Sequence, residues 1–537
     1  MAPSNFEVEQ SVTGPANLSL VCLLVAMLAG GCATVGPDFE TPESDVADDW
    51  LESDDQRFSS DPGDDALWWT TFNDPVLESL IQQAHEQNKT LQIAGARVFE
   101  ARAILGIAAG NLYPQVQTLG GSVGRVEISK NADPISTLPD SIRQSVDTGF
   151  GNYRLGFDAS WELDFWGRFS RTVESADANL AVTIATYDDV LVTLTGEVAG
   201  AYVLLRTLEE SLAVAEANVA IQQRSLEISE VRNRNQLTTE LDPQIARAFL
   251  RETQALVPSL KASIRKVRNA LCLLLAKPPG ALDAELGAGG VIPVAPAEVA
   301  VGIPAELLRR RPDIRRAEAR AAAQSARIGI AKAELYPAFS LVGNIGYAAE
   351  TGGNLFDSDS LRGFGIAGFR WNIFNYGRIR NLVRVEDARF QQLIENYQDT
   401  VLRAAREVED ATANFIAAQE EAVFLEDGAK ASQRAVELSM AQYRDGTADY
   451  TRVLDSQRFL LQQQKGLTSA RGKMAGSLVA LYKALGGGWE QRSLDDLVSD
   501  ETRQIMRERT NWGKLLEAES VEPVPADERG GWRAPDR

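Results

Sequence analysis

Histidine and cysteine are scarce in this chain: 537 residues hold one of the first and three of the second. A zinc or haem site needs several such ligands, so no metal, haem or other cofactor is expected. His85, on a predicted helix after Trp68-Trp69, reads as a packing or surface residue. Cys22 lies in an apolar N-terminal run and Cys272 in the apolar stretch 271–275, where a lone cysteine behaves as a small hydrophobe. With only Cys32 besides, no disulfide framework can form. Phosphate-binding loops, a Gly-x-Ser-x-Gly elbow and a Gly-x-Gly-x-x-Gly turn after a strand are all missing, so nothing reads as an enzyme. Positive charge is also short: 54 Lys and Arg against 75 Asp and Glu give −21, which argues against nucleic acid or anionic lipid as a partner. Proline is missing between Pro337 and Pro523, so long helices there can run unbroken.

The N-terminus carries an apolar run, Leu18–Leu28, too short to cross a bilayer. Ala29-Gly30-Gly31-Cys32 follows. Small residues before a cysteine read as a lipoprotein cleavage site, so residues 1–31 are expected to be a signal peptide and Cys32 the lipidated first residue of the mature chain. Two features depart from that pattern: Ala29 stands where leucine is commoner, and no Lys or Arg precedes Arg57. Ala33 after the cysteine, rather than Asp, favours delivery to the outer membrane. Between Asp38 and Asp65 twelve carboxylates face the single Arg57, which reads as an extended, solvated segment over 32–66.

What is present is an internal match. Trp161-Glu-Leu-Asp-Phe-Trp-Gly-Arg has a counterpart 210 residues on, Trp371-Asn-Ile-Phe-Asn-Tyr-Gly-Arg. Upstream, Leu105-Gly106-Ile107-Ala108 and Leu112-Tyr113-Pro114 match Ile328-Gly329-Ile330-Ala331 and Leu335-Tyr336-Pro337 at an offset of 223. The match predicts one unit used twice, over 67–275 and 305–488, joined by a Pro/Gly/Ala-rich linker over 276–304 and followed by a charged tail, 489–537. Each unit reads as helix, strand, loop, strand, very long helix, turn, helix. Strands are expected at about 115–128, 150–163, 338–349 and 363–374. Tyr153, Leu155, Phe157, Ala159, Trp161 and Leu163 alternate with polar or small residues, the period of a two-faced strand. Each run has roughly the ten residues that a tilted strand needs to cross a membrane.

The long helices repeat in steps of four and three: Ile184, Tyr187, Leu191, Leu194, Val198, Ala201, Leu205, and in the second unit Tyr397, Val401, Ala404, Val408, Ala411, Phe415. Such a sustained seam demands partner helices along its whole length. Four membrane strands do not close a barrel, so the chain must pool strands with copies of itself. Two copies would supply eight and three would supply twelve; the seam does not choose.

Together these residues resemble the TolC-like outer membrane efflux proteins, in the NodT-type lipoprotein branch. The matching pieces are Cys32 with Val35-Gly36-Pro37-Asp38-Phe39, Trp68-Trp69-x-x-Phe72-x-Asp74-Pro75, Leu112-Tyr113-Pro114, Leu307-Leu308-Arg309-Arg310-Arg311-Pro312-Asp313-Ile314-Arg315-Arg316, Asn375-Tyr376-Gly377-Arg378, Tyr443-x-x-Gly446 and Leu454-Asp455-Ser456-Gln457-Arg458. The resemblance implies a homotrimer: a 12-stranded outer-membrane β-barrel, four strands per protomer, continued by a long periplasmic α-helical barrel with an equatorial domain. It implies a passive exit duct for drugs or similar substrates, fed by an inner-membrane transporter of the proton-driven multidrug type through a periplasmic adaptor. It also implies that Asp455, with Thr451 one turn earlier, lines a periplasmic aperture. Arg452 stands where some relatives carry a second aspartate. Asp445, Gly446 and Thr447, and in the first unit Gln236, Leu237 and Thr238, would meet the adaptor. The rival readings are a peripheral coiled-coil scaffold lipoprotein and a stand-alone porin. A scaffold would leave the membrane on alkaline washing, and a porin would conduct steadily when purified.

If Cys32 is the lipid anchor, Cys32→Ala abolishes incorporation of radiolabelled palmitate into the chain. A variant that still takes up label would refute the assignment.

Overall fold

The structure, a computed structural model, describes residues 34–43, 46–59, 65–287, 289–296, 299–301, 310–489 and 497–516. The expected signal segment and Cys32 lie outside the described residues, as do Leu307, Leu308 and Arg309.

Chain order begins with α1 (Pro75–Gln87), α2 (Lys89–Gly110), β1 (Val116–Glu127), β2 (Gly149–Leu163), α3 (Arg168–Arg234) and α4 (Leu241–Leu274). It continues with α5 (Pro312–Ala333), β3 (Ala338–Ala349), β4 (Leu361–Arg370), α6 (Arg378–Arg444) and α7 (Tyr450–Ala484), then α8 (Asp500–Arg509). The same order thus occurs twice from α2 onward. The two longest helices have 67 residues each, which at 1.5 Å per residue is roughly 100 Å.

The strands form one antiparallel sheet in the order β1-β2-β3-β4. Its register puts Leu119 opposite Phe157, Phe157 opposite Ile345, and Leu341 opposite Ala367. One face is therefore apolar, with Leu119, Val123, Phe157, Ile345 and Phe369 exposed on it. The opposite face is mixed, carrying Thr118, Ser122, Arg154, Asp158, Ser160 and Asn344 together with the exposed Val342, Phe364 and Ile366. Nothing in the described chain covers the apolar face or pairs the outer edges of β1 and β4.

The repeated Trp…Gly-Arg string marks where strand becomes helix. Trp161 Nε1 donates to Leu112 O at 3.1 Å, and Trp371 Nε1 to Leu335 O at 2.9 Å, so each indole fixes its strand end to the Leu-Tyr-Pro turn. Gly167 (φ +77°) and Gly377 (φ +82°) then turn the chain through the left-handed region, which a side chain would disfavour. Asp164 accepts from the Phe169 and Ser170 amides at 2.8 and 2.7 Å, filling donors that the start of α3 leaves open.

Leu180, Ile184, Tyr187, Leu191, Leu194, Val198 and Leu205 are buried on α3, as are Tyr397, Val401, Ala404, Val408, Ala411 and Phe415 on α6. The four-three pattern is the core. Below Ala215, however, the buried positions on α3 become polar: Asn218, Gln222, Ser225 and Ser229. On α7 their counterparts are Gln457 and Thr468.

The arginine-rich string clamps these helices. Arg311, 7 % exposed, grips both carboxylate oxygens of Asp313 (3.0 and 2.7 Å), Glu407 (2.8 Å) and the Ala484 carbonyl (2.7 Å). Arg315 and Arg316 reach Asp188 and Asp189 on α3 at 3.3 and 2.6 Å. Three helices meet on one short motif.

Four expectations need correction. The acidic segment is extended but not simply solvated, because Trp50 and Phe58 are buried and Phe58 packs against Phe415 at 6.2 Å. Asp38 pairs with Arg171 at 2.7 Å, Thr41 with Glu318 at 2.6 Å, and the Leu51 amide with Glu409 at 3.0 Å; carboxylate counting missed these anchors. The linker is docked, with Leu282, Leu286, Ile292 and Val299 buried, and Val299 pairs with Phe58. Part of the charged tail folds as α8, where Met506 is buried, and Trp512 meets the Phe99 ring at 6.5 Å. Finally, the fourth strand ends at Arg370 rather than near 374, because Ala338, opposite Arg370, is the first residue of β3 and no strand residue precedes it to pair further on.

Arg311→Ala strands a buried carbonyl and two carboxylates. We expect a loss of about 3 kcal/mol, with Arg311→Lys recovering less than half because an ammonium cannot make the paired contact. Thermal unfolding of the detergent-solubilised variants checks this, and an unchanged midpoint would rule out the clamp.

Candidate functional site: the hairpin tips

Each long helix hands over to its partner through the same turn. Leu237 N bonds Arg232 O and Gln236 N bonds Asn233 O, both at 2.9 Å; in the second unit Thr447 N bonds Gln442 O at 2.9 Å and Gly446 N bonds Tyr443 O at 3.1 Å. This hydrogen-bond pair closes a helix when one residue takes left-handed φ. That residue is Gly446 (φ +78°) in one tip and Gln236 (φ +58°) in the other. A non-glycine there costs about 1 kcal/mol, so the first tip holds a strained Gln236 where the second is relaxed. Asp449 then caps α7, accepting from Arg452 N at 3.4 Å.

Leu237 and Leu241 are exposed beside Gln236, and Asp445, Gly446 and Thr447 are exposed on the other tip. Thr238 is half-buried, its hydroxyl donating to Asp242. Asp445 lies 3.7 Å from the Arg444 guanidinium. The proposed adaptor-facing residues therefore share one end of the molecule.

The two tips are tied together by residues that motif reading did not single out. The Tyr443 hydroxyl donates to Asp242 at 3.0 Å. Arg232 donates to the Arg444 carbonyl at 2.9 Å and lies 4.9 Å above the Tyr443 ring. Tyr450 packs edge-on to Tyr443 at 5.3 Å and meets the Ser225 hydroxyl at 3.0 Å. Beneath them Ala246, Phe249, Val453 and Leu454 form a small buried cluster. Burial, and the negative Asp242 beside it, push the Tyr443 phenol well above its ordinary value; burial does the same to Tyr450. Both phenols remain neutral across physiological pH. A pair of tyrosines flanking a turn was the available sequence signal, but Asp242, the partner of Tyr443, lies 201 residues away.

Thr451, Arg452 and Asp455 are all exposed, Thr451 and Asp455 four residues apart on one helix face. Among the described residues neither Arg452 nor Asp455 joins an ion pair. Buried behind them, Gln457 and Gln222 have no hydrogen-bond partner for either amide atom.

Tyr443 keeps its proton in the folded protein beyond pH 10 or so, where an unfolded tyrosine titrates. Its contribution is thus full below that pH and is lost as pH rises further. Tyr443→Phe is expected to cost about 1 kcal/mol at pH 8 and to flatten the alkaline limb of stability. An identical alkaline limb in unfolding titrations of both proteins would contradict the latch.

Residues 80–277 and 303–487 match the family described as Outer membrane efflux protein. The pyoverdine export outer membrane protein OpmQ of Pseudomonas putida is 31 % identical over 484 residues, covering 90 % of this chain and 99 % of the relative. Nodulation protein T of Rhizobium leguminosarum bv. trifolii is 31 % identical over 477 residues, 86 % of this chain and 96 % of the relative. Among solved structures, the outer-membrane channel OprN superposes with a TM-score of 0.79 at 32 % identity, covering 85 % of this chain and all of that one. The open-state MtrE outer membrane channel of Neisseria gonorrhoeae gives 0.71 at 27 %, covering 85 % and 98 %. Fold and sequence therefore agree, and the chain belongs to the outer membrane efflux protein family, a family of transport channels of the outer membrane.

Proposed function

We propose that three copies of this chain form the exit duct of a tripartite efflux pump. The observation that carries the reading is a four-stranded sheet with one apolar face and two open edges, continuous with helices of 67 residues. Open edges are untenable in lipid, and twelve pooled strands close a barrel with its polar face inward. The long helices continue that barrel through the periplasm to the tips. A duct needs no chemistry of its own. Energy would come from an inner-membrane transporter of the proton-driven multidrug type. A periplasmic adaptor would grip the exposed tip residues Gln236, Leu237, Thr238, Asp445, Gly446 and Thr447. Relatives named for pyoverdine export, solvent efflux and toluene efflux support small organic molecules, drugs among them, as cargo. A lipid on Cys32 would anchor the N-terminal strap at the membrane.

At the periplasmic end, Asp455 with Thr451 lines the aperture in this reading, and three carboxylates around a narrow axis favour cations over anions. Arg452 alternates with that ring and can pair with a carboxylate of a neighbouring copy, which would hold the end shut. The Tyr443–Asp242 bond ties the two hairpins of one copy and must break for them to part.

Planar-bilayer recording of purified protein tests the aperture. The unaltered channel is expected to conduct little; Arg452→Ala raises conductance, and Asp455→Asn lowers the preference for cations. Steady full conductance by the unaltered protein would favour a porin instead, and no conductance by any variant would remove the duct reading.

A further inference from the structure

A groove of about 790 Å³ lies between α2, α3 and α5, where α2 ends and α3 begins, and that volume suits a small organic molecule. Its charge runs against that of the chain, which has 75 acidic residues to 54 basic ones. Arg97 lines one wall and Arg320 and Arg327 the other, with Glu100 as the single carboxylate of the lining. All three arginines are exposed. Among the described residues none of them joins an ion pair or a side-chain hydrogen bond. Their neighbours Arg171, Arg315 and Arg316, on α3 and α5, each hold a carboxylate, at 2.7, 3.3 and 2.6 Å.

The rest of the lining offers a ligand few donors. The hydroxyls of Thr172, Thr183 and Thr186 donate back to carbonyls of their own helix at 2.8, 2.9 and 2.7 Å. Farther along α2 the wall is apolar, with Ile104 and Ile107 exposed. Arg320 and Arg327 stand two turns apart on one face of α5, about 10 Å along the helix. Free guanidinium groups thus flank an apolar wall, and a cleft lined by one sign of charge concentrates ions of the other. The N-terminal strap fixes which way the groove faces. Thr41 bonds Glu318 at 2.6 Å, and the Val35 carbonyl lies 2.7 Å from where a Cβ on Gly329 would stand. Arg320 and Arg327 are each two residues from those contacts, roughly 200° round the helix, so strap and groove occupy opposite faces of α5. With Cys32 held by lipid in the membrane around a barrel, the strap is outside and the groove faces the bore.

We propose that this groove is a docking site for organic anions in transit, molecules that carry carboxylate or sulfonate groups on an apolar body. Three copies would set nine such arginines around the bore, and rings of arginine favour anions in a pore. The sign is opposite to that of Asp455 at the tips, which gives the bore two charge zones, acidic at its periplasmic end and basic next to the sheet. Exposed ion pairs are weak and screened by salt, so the site holds a passing anion without trapping it. This inference rests on the exit-duct reading and gives that duct a cargo class.

Two xanthene dyes of similar shape and opposite charge test this in the purified full-length protein: carboxyfluorescein, an anion, and rhodamine 6G, a cation. Fluorescence anisotropy, measured against empty detergent micelles, reads the affinity. Carboxyfluorescein should bind, and added salt should weaken it. Arg320→Gln with Arg327→Gln should weaken it about tenfold, and Arg97→Gln on the other wall about threefold on its own; rhodamine 6G should lose nothing. Because none of these side chains holds a partner, the variants should keep the native mass of the unaltered protein. Arg224→Gln with Arg434→Gln removes the same charge nearer the tips and should leave carboxyfluorescein binding as it is. No binding above that of micelles, equal affinity in the variants, or an equal loss in the charge-matched control would overturn the site and leave the duct standing. Arginine-dependent binding by a particle of one-chain mass would keep the anion site and remove the duct.

Discussion

A sheet edge carries unpaired N–H and C=O groups, and in hydrocarbon each unmade hydrogen bond costs several kcal/mol. That single constraint organises the molecule. Four strands with an apolar face cannot stand alone in a membrane, and four strands of a soluble protein would not leave Leu119, Val123, Ile345 and Phe369 uncovered on one side. In the assembly proposed above, the sheet is one part of a closed wall. The parts below the sheet fix its strands to the long helices. Trp161 and Trp371 hold the strand ends, and left-handed glycines turn the chain into the 67-residue helices.

The helices divide into two mechanical regions. Near the sheet they are held by close-packed Leu, Val and Tyr, by the Arg311 clamp, and by a strap whose Asp38, Thr41 and Leu51 bind three different helices. Toward the tips the buried positions of α3 turn polar, and Gln222 and Gln457 leave four amide positions unpaired. Unpaired buried amides each forfeit about 1–3 kcal/mol. What ties the two hairpins at their tips is local: Tyr443 on Asp242, Arg232 on the Arg444 carbonyl, and Ser225 against Tyr450. In the duct proposed above, the more rigid half is the one at the membrane.

Most of the fold was legible in the sequence because periodicity reports burial directly. The four-three series predicted the buried stripe on α3 and α6, and alternation placed β2 to within one residue of its ends. Chain contacts set by distant or external partners were not legible. Carboxylate density over 38–65 hid Trp50 and Phe58, whose pockets belong to other elements. The tip latch escaped because Tyr443 and Asp242 meet only after both hairpins fold. The apolar pattern continues to 374 while the strand stops at Arg370, since alternation records the faces a residue is built for and pairing records only the neighbours at hand.

The two halves differ most where their surroundings differ. At both helix ends of the second half the left-handed position is glycine, Gly446 and Gly486, whereas the first half uses Gln236 and Ala276 at the same places. Each non-glycine carries about 1 kcal/mol of backbone strain and spares the unfolded chain the freedom of a glycine. The exchange is nearly neutral for folding, so stability alone does not select between them. What distinguishes the tips is their surface: Gly446 leaves bare backbone between Asp445 and Thr447, while Gln236 adds an amide next to the exposed Leu237. Two hairpins of equal length thus end in one turn with two chemistries, and a partner gripping all the tips of a ring would meet those chemistries in alternation.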